Sequence, residues 1–266
     1  ILRRPPGASA VHPHRSEVNP NRYPALLDGR IVFPDPRTAM TDGDFDGLVA
    51  IGGDLSPERL ILAYRSGIFP WSVDPITWWS PSRRGIIPLD APRWGRSLLK
   101  TIRRKPFEVS VDRAFREVME GCRTAPRQGS WITTEFVEAY TVLHDMGFAH
   151  SVECWSGEDL AGGIYGIHVG GAFVGESMFF RESNASKVAL YYLVESLRAN
   201  GFTLFDTQMV TETTERFGAR EISRDEYLRL LVRAARLDCE FPVKIHPQRL
   251  PHGEVATSKS RREHCR

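Results

Sequence analysis

The sequence predicts a mixed α/β or α+β fold, and two observations carry that reading. Residues 160–208 read as a β-hairpin, a helix and a further strand, and from Gly85 onward amphipathic helical stretches alternate with apolar strand-like ones. A small Pro- and Trp-rich region, residues 31–84, precedes this part. At 266 residues the chain can bury one large core or two unequal ones. Its composition, 41% hydrophobic and 26% charged, is that of an ordinary globular protein.

Taken in order, residues 1–30 hold Pro5, Pro6, Pro13, Pro20 and Pro24 with little apolar periodicity, which predicts a disordered or loosely attached extension. In residues 31–84 one helix is marked by Ser56 as N-cap, Pro57 at its first position and Gly67 just past its end. Leu60, Ile61 and Tyr64 then share its buried side. Residues 96–105 form a helix with Leu98, Leu99 and Ile102 inward and Arg96, Lys100 and Arg103 outward. Residues 112–119, 133–146 and 223–235 are amphipathic, and the last opens with the capping box Ser223-x-x-Glu226.

The hairpin in residues 160–180 turns at Val169-Gly170-Gly171, because a Gly pair supplies the positive φ angles of a tight turn. Strict alternation puts Glu176, Met178 and Phe180 on one face. Residues 185–200 carry Ala189, Leu190, Leu193, Val194 and Leu197 at helical spacing and stop at Asn200-Gly201. Asn184 and Ser186 are placed to cap the start of this helix. Residues 202–208 resume as a strand on which Asp206 and Gln208 share a face, so a carboxylate and an amide project together from a rigid element. By spacing alone these polar groups fit strand ends at solvent equally well. Residues 242–266 add a basic tail, read as a solvated terminus.

No stretch reaches the roughly 20 apolar residues a bilayer helix needs. The first residues have no apolar core of the secretory type. Cys122, Cys154, Cys239 and Cys265 are scattered with no C-x-x-C pair, which argues against a zinc site or a disulfide framework and for reduced thiols in a cytoplasmic protein. His12 and His14 form an H-x-H without further ligand-type residues nearby, so no metal is expected there. The net charge of +2 neither demands nor excludes nucleic acid. Its distribution is more telling: Arg83, Arg84, Arg93, Arg96, Lys100, Arg103, Arg104 and Lys105 follow one another against a single acid, Asp90. A solvated basic helix accounts for this run as well as a phosphate-binding face does.

Six segments occur in order: residues 48–57 (LVAIGGDLSP), 67–71 (GIFPW), 78–81 (WWSP), 131–133 (WIT), 175–179 (GESMF) and 184–187 (NASK). Together they resemble the bacterial leucyl/phenylalanyl-tRNA–protein transferase family over residues 31–241. Six ordered motifs are far more specific than any one. The resemblance implies transfer of leucine or phenylalanine from charged tRNA to the N-terminal amine of proteins beginning with Arg or Lys, marking them for degradation. It narrows the expected fold to α+β, with a GCN5-related N-acetyltransferase-like acyltransferase domain in residues 85–241 behind a small N-terminal domain, and it implies no cofactor.

Carried over residue by residue, the resemblance makes Asp206 and Gln208 the catalytic pair, with Glu176 beside them. In this reading Asp206 fixes the acceptor's α-amino group, Gln208 holds the scissile ester, and Glu176 or Asp206 favours the cationic acceptor side chain. Trp71, Trp131, Ile164, Phe173, Met178 and Leu190 match positions lining the family's Leu/Phe pocket. Ile164 stands where the family carries Met, a near volume-conserving change. The basic run, with Arg83, Arg84, Arg96, Lys100, Arg103 and Arg104, becomes the path of the tRNA acceptor stem. One departure is visible: Thr211 and Thr213 occupy positions where the family has Asn and His, beside the added charges of Glu212 and Glu215.

Two other readings compete. An acetyl-coenzyme A-dependent N-acetyltransferase needs a pyrophosphate-cradling loop between a strand and a helix. The nearest match, residues 198–203, lacks the last small residue and runs from helix to strand. A tRNA- or degron-binding adaptor that has lost transfer is motivated by Thr211 and Thr213, but has no evident need for Asp206, Gln208 and Glu176 together.

Overall fold

A computed structural model describes residues 23–126 and 131–242. The basic tail beyond Phe241–Pro242, residues 1–22 of the expected extension, the H-x-H and Cys265 lie outside the described residues. Two sheets organise the rest. Strands β1 (Ala25–Leu27), β2 (Leu48–Gly52), β3 (Phe69–Val73) and β4 (Ile76–Trp79) form the smaller, in the order β1-β2-β4-β3. Strands β5 (Arg83–Ile87), β6 (Glu108–Val111), β7 (Ala149–Ser156), β8 (Asp159–Val169), β9 (Ala172–Phe180), β10 (Leu204–Gln208) and β11 (Arg220–Ser223) form the larger, ordered β11-β5-β10-β9-β8-β7-β6. All its pairs are antiparallel except β9 with β10.

The helices are α1 (Pro57–Arg65), α2 (Arg96–Arg104), α3 (Phe115–Thr124), α4 (Thr134–Asp145), α5 (Ala185–Ala199), α6 (Glu212–Glu215) and α7 (Arg224–Ala234). They divide between two hydrophobic clusters. Leu60, Phe115, Phe136 and Tyr227 bring α1, α3, α4 and α7 together with Tyr165 and Val174 of the larger sheet and Trp78 of the smaller. Leu98 and Ile102 of α2 and the apolar face of α5 pack with Ile164, Phe173 and Phe205 in the other. The parallel β9–β10 pair is bridged by α5, which follows from the long crossover that parallel strands require.

Several sequence-based expectations need correction. The extension expected to hang loose through Arg30 contains β1, which pairs in parallel with β2. Three residues on a sheet edge are too short a run to show periodicity. The change of sheet falls before Arg83, so β5 lies wholly in the larger sheet across the boundary expected at 84/85. Helix α3 starts at Phe115, later than expected, and Asp112 is left-handed (φ 55°), outside the helix. Its carboxylate accepts the Ser151 N–H at 2.8 Å, tying the end of β6 to β7. Ser56 stands at the N-cap of α1 without a side-chain cap bond, since its hydroxyl donates to Asp54. Asn184 likewise occupies the N-cap of α5 in a left-handed conformation (φ 73°) with no side-chain cap bond, and Ser186 lies buried inside the helix. The hairpin turn falls where expected, between β8 and β9 at Gly170 (φ 57°) and Gly171.

Candidate active site

Strand β9 carries one extra residue. Tyr165 faces Ser177 and Gly166 faces Gly175, which leaves Glu176 bulged out of the β8–β9 ladder. The bulge resets the alternation, so Glu176 reaches Tyr64 in the α1–α4 cluster while Met178 packs on the α5 cluster. The face expected to hold Glu176, Met178 and Phe180 together is therefore split, and Phe180 is exposed.

On the neighbouring strand the ladder also breaks. β10 pairs with β9 only over Leu204–Ala172, Phe205–Phe173 and Asp206–Val174. On its other side Asp206 faces Ile86 and Gln208 faces Gly85, with Thr207 skipped. Gln208 is left-handed (φ 60°), and Gly85 leaves room for the residues that flank it: a Cβ there would come within 2.6 Å of the Met209 carbonyl carbon and 2.9 Å of Thr207 Oγ1. Past Asp206 the two parallel strands separate, and a single side-chain bond, Gln208 Nε2 to Glu176 Oε1 at 2.8 Å, spans the split.

Glu176 Oε1 also accepts from the Tyr64 hydroxyl at 2.8 Å, and Tyr64 is hydrogen-bonded to Tyr140. Oε2 is closed off from solvent and has no partner among the described residues. Burial pushes the Glu176 pKa up to about 7, against the lowering effect of the Tyr64 and Gln208 bonds. Burial and the Glu176 charge hold the Tyr64 hydroxyl well above its ordinary pKa, so it stays a donor.

Asp206 has the opposite surroundings. It is fully buried and its carboxylate is used completely. Oδ1 accepts Arg84 Nε at 2.9 Å and the Gln208 backbone N–H at 2.7 Å; Oδ2 accepts Arg84 Nη2 at 2.6 Å and the Tyr227 hydroxyl at 2.7 Å. The Arg84 guanidinium lies over the Phe69 and Tyr227 rings at 4.7 and 4.4 Å. Burial alone would lower its pKa, but the Asp206 charge more than reverses this and keeps it cationic. Two corrections follow. Arg84 is a core residue at 1% exposure and cannot lie on a tRNA path. Asp206 cannot fix an acceptor amine directly, because no acceptor lone pair is left to reach one.

A cavity of about 200 Å³ opens at this split, lined by Phe69, Trp71, Trp131, Glu176, Thr207, Gln208 and Thr211 among others. The buried Thr207 Oγ1 has no partner among the described residues. A wider cavity of about 520 Å³ adjoins it, sharing Phe69, Trp71 and Met209 and adding Trp79, Asp44, Asp46 and Glu221. Of the six expected pocket residues, Trp71 and Trp131 line the smaller cavity. Ile164, Phe173 and Leu190 are buried in the α5 cluster with Met178 packed against them, on the other side of the β9 bulge. Thr211 is committed locally: its hydroxyl accepts the Thr214 N–H at 3.2 Å and caps α6. Thr213 lines a separate cavity with Lys187 and Arg216.

The remaining basic residues are on the surface. Arg96, Lys100, Arg103 and Arg104 are exposed on α2, and the exposed Arg83 pairs with Glu221 at 3.3 Å. Tyr64, Tyr140, Tyr227, Phe69 and Thr207 were not singled out as site residues by the sequence. The tyrosines read as core positions of amphipathic helices, and Tyr64 meets Glu176 across 112 residues, beyond any short motif. Among the described residues no helix is long and apolar enough to cross a membrane.

The comparisons by sequence with known proteins agree on one family. A family model described as leucyl/phenylalanyl-tRNA protein transferase matches residues 86–232, and one for that family's N-terminal domain matches residues 53–82. A leucyl/phenylalanyl-tRNA–protein transferase of Thermodesulfovibrio yellowstonii is 51% identical over 79% of this chain and 86% of its own length. One of Nitratidesulfovibrio vulgaris is 47% identical over 86% and 97%, and one of Anaeromyxobacter dehalogenans 51% identical over 76% and 87%. Among solved structures, L-PGS from Bacillus licheniformis is similar at 17% identity and a TM-score of 0.34, over 60% of this chain and 52% of that one, too distant to assign a fold. With more than half of the chain matched by the family model and about half of the aligned residues identical to these relatives, the chain belongs to the leucyl/phenylalanyl-tRNA protein transferase family of aminoacyltransferases.

Proposed function

We propose that this chain transfers Leu or Phe from aminoacyl-tRNA to the N-terminal Arg or Lys of acceptor proteins, on an acyltransferase domain of the GCN5-related type, in the cytoplasm. The observation that carries the mechanism is the Glu176 carboxylate, bulged into an aromatic cavity with one oxygen anchored and the other free.

The nucleophile is an α-amine, whose pKa is roughly 7.7–8.0 in solution. A carboxylate that titrates near 7 is matched to hold its proton. The α-ammonium meets Glu176 where this side chain lines the cavity and passes it a proton, and the amine attacks the ester carbonyl carbon. The C–O bond to the terminal ribose then breaks, the ribose oxygen leaves with the second proton of the attacking nitrogen, Glu176 gives the first to solvent, and a peptide bond remains. Gln208 orients Glu176 and the ester beside it. Since the ester is already activated, positioning supplies much of the acceleration.

The donor side chain enters the β9–β10 split against Trp71 and Trp131, the two expected pocket residues that line the smaller cavity. Exposed Arg96, Lys100, Arg103 and Arg104 on α2 neutralise acceptor-stem phosphates. Purified protein, tRNA charged with labelled Leu or Phe, and peptides beginning with Arg, Lys, Glu or Met test this reading. Transfer to Arg and Lys alone supports it. Transfer to Glu instead means that the Thr211–Glu215 segment has changed acceptor choice, and salt-dependent tRNA binding without product supports the adaptor.

A further inference from the structure

We infer that Arg84 and Tyr227 are positioning residues for the transfer reaction: they touch no substrate and set the conformation of Gln208 through Asp206. The inference rests on the role given above to Gln208 and Glu176. Gln208 is held in the left-handed region, which is unfavourable for a residue with a Cβ and persists only where the surroundings over-determine it. Two contacts do so. Gly85 leaves space for the flanking Thr207 and Met209, and the Asp206 carboxylate accepts the Gln208 N–H two residues on.

That carboxylate is itself fixed from outside its strand. Arg84 on β5 grips both oxygens with Nε and Nη2, and the Tyr227 hydroxyl on α7 takes Oδ2. The guanidinium plane is set in turn by the Phe69 and Tyr227 rings and by the Gly67 carbonyl, 3.4 Å from Nη1. Each member of the chain has its orientation determined by the next: α7 and β3 hold Arg84, Arg84 holds Asp206, Asp206 holds the Gln208 backbone, and Gln208 Nε2 holds Glu176. A buried ion pair is no better for stability than apolar residues of the same volume. The fork geometry is explained by the direction it imposes on Gln208 and by the Glu176 oxygen that Gln208 in turn anchors.

Tyr227→Phe is the sharpest probe, because it removes the hydroxyl's bond to Asp206 and the longer one it accepts from Arg84 Nη2 at 3.3 Å, and leaves the ring over Arg84. It is expected to lower kcat about tenfold, the scale of one bond to a charged group, with KM for aminoacyl-tRNA and peptide changed less than about twofold. Arg84→Lys keeps the charge, loses the fork and lowers kcat at least as much. The decisive comparison adds Gln208→Ala. If Tyr227 acts through Gln208, the double variant is no slower than Gln208→Ala alone, whereas an independent structural role makes the losses multiply. A slow Gln208→Ala with an unaffected Tyr227→Phe, or with multiplying losses, overturns the inference alone. Wild-type kcat in Gln208→Ala overturns the reading of the site and the inference with it.

Discussion

Asp206 and Glu176 lie on neighbouring strands, on either side of the same split, and their surroundings are opposite. Asp206 has every lone pair claimed by a buried guanidinium, a tyrosine and a backbone N–H. Glu176 has one oxygen anchored twice and the other left without a partner beside a cavity. In the proposed mechanism two carboxylates of the same chemistry therefore do different work: the first is a strut that aims Gln208, the second the group that takes the proton. The division of labour between paired carboxylates follows from environment, as acid and base roles in active sites commonly do.

The comparison breaks most easily at the strut. Asp206→Asn leaves the Arg84 cation buried without its counter-charge, and urea denaturation is expected to show a loss of about 3–5 kcal/mol. A loss under about 1 kcal/mol would mean that Asp206 is not the strut described. Replacing both partners, as Arg84→Met with Asp206→Leu, recovers most of the stability but not the rate.

Next in size is Glu176→Gln, which keeps the shape and removes the exchangeable carboxylate. Its kcat/KM is expected to fall about a hundredfold, within the usual range for a lost acid–base group, with urea midpoints no lower than the wild type. Equal losses of stability in this variant and in Asp206→Asn would erase the distinction between the two groups.

A smaller, directional effect sharpens the Glu176 half. The Tyr64 bond lowers the Glu176 pKa, so Tyr64→Phe moves the alkaline rise of the rate to higher pH. Stability carries the same sign. Because the folded pKa of about 7 lies above the unfolded 4.5, the contribution of Glu176 is complete below 4.5 and is lost as pH rises through about 7. Denaturation midpoints across that window should fall in the wild type relative to Glu176→Gln. The smallest effect lies away from both carboxylates: Lys100→Ala or Arg103→Ala on α2 should flatten the salt dependence of tRNA binding by about 0.7–0.9 in log–log slope per charge and leave kcat unchanged.

The regular parts of this molecule were legible in the sequence, and the site was legible only in its residue types. The β8–β9 hairpin, α5 and α7 follow from apolar spacing and Gly or Ser signals that act within a few residues. Asp206, Gln208 and Glu176 were brought forward by family motifs, and the structure does place all three at one split. What alternation misread was the geometry: a bulge at Glu176 and a left-handed Gln208 each depend on a partner strand, and period-two reasoning has no term for an inserted residue. Arg84 looked like surface because it sits in a basic run. Its burial is decided by Asp206, 122 residues away.

The most direct test of the central claim is the pH dependence of kcat for transfer of Leu to an Arg-starting peptide, in wild type and in Glu176→Gln. In the wild type kcat is expected to rise with pH through about 7. In the variant the residual rate should lose that step and follow the acceptor amine alone, near roughly 7.7–8.0. A Glu176→Gln enzyme with the wild-type rate and the wild-type profile would contradict the assignment of proton transfer to Glu176.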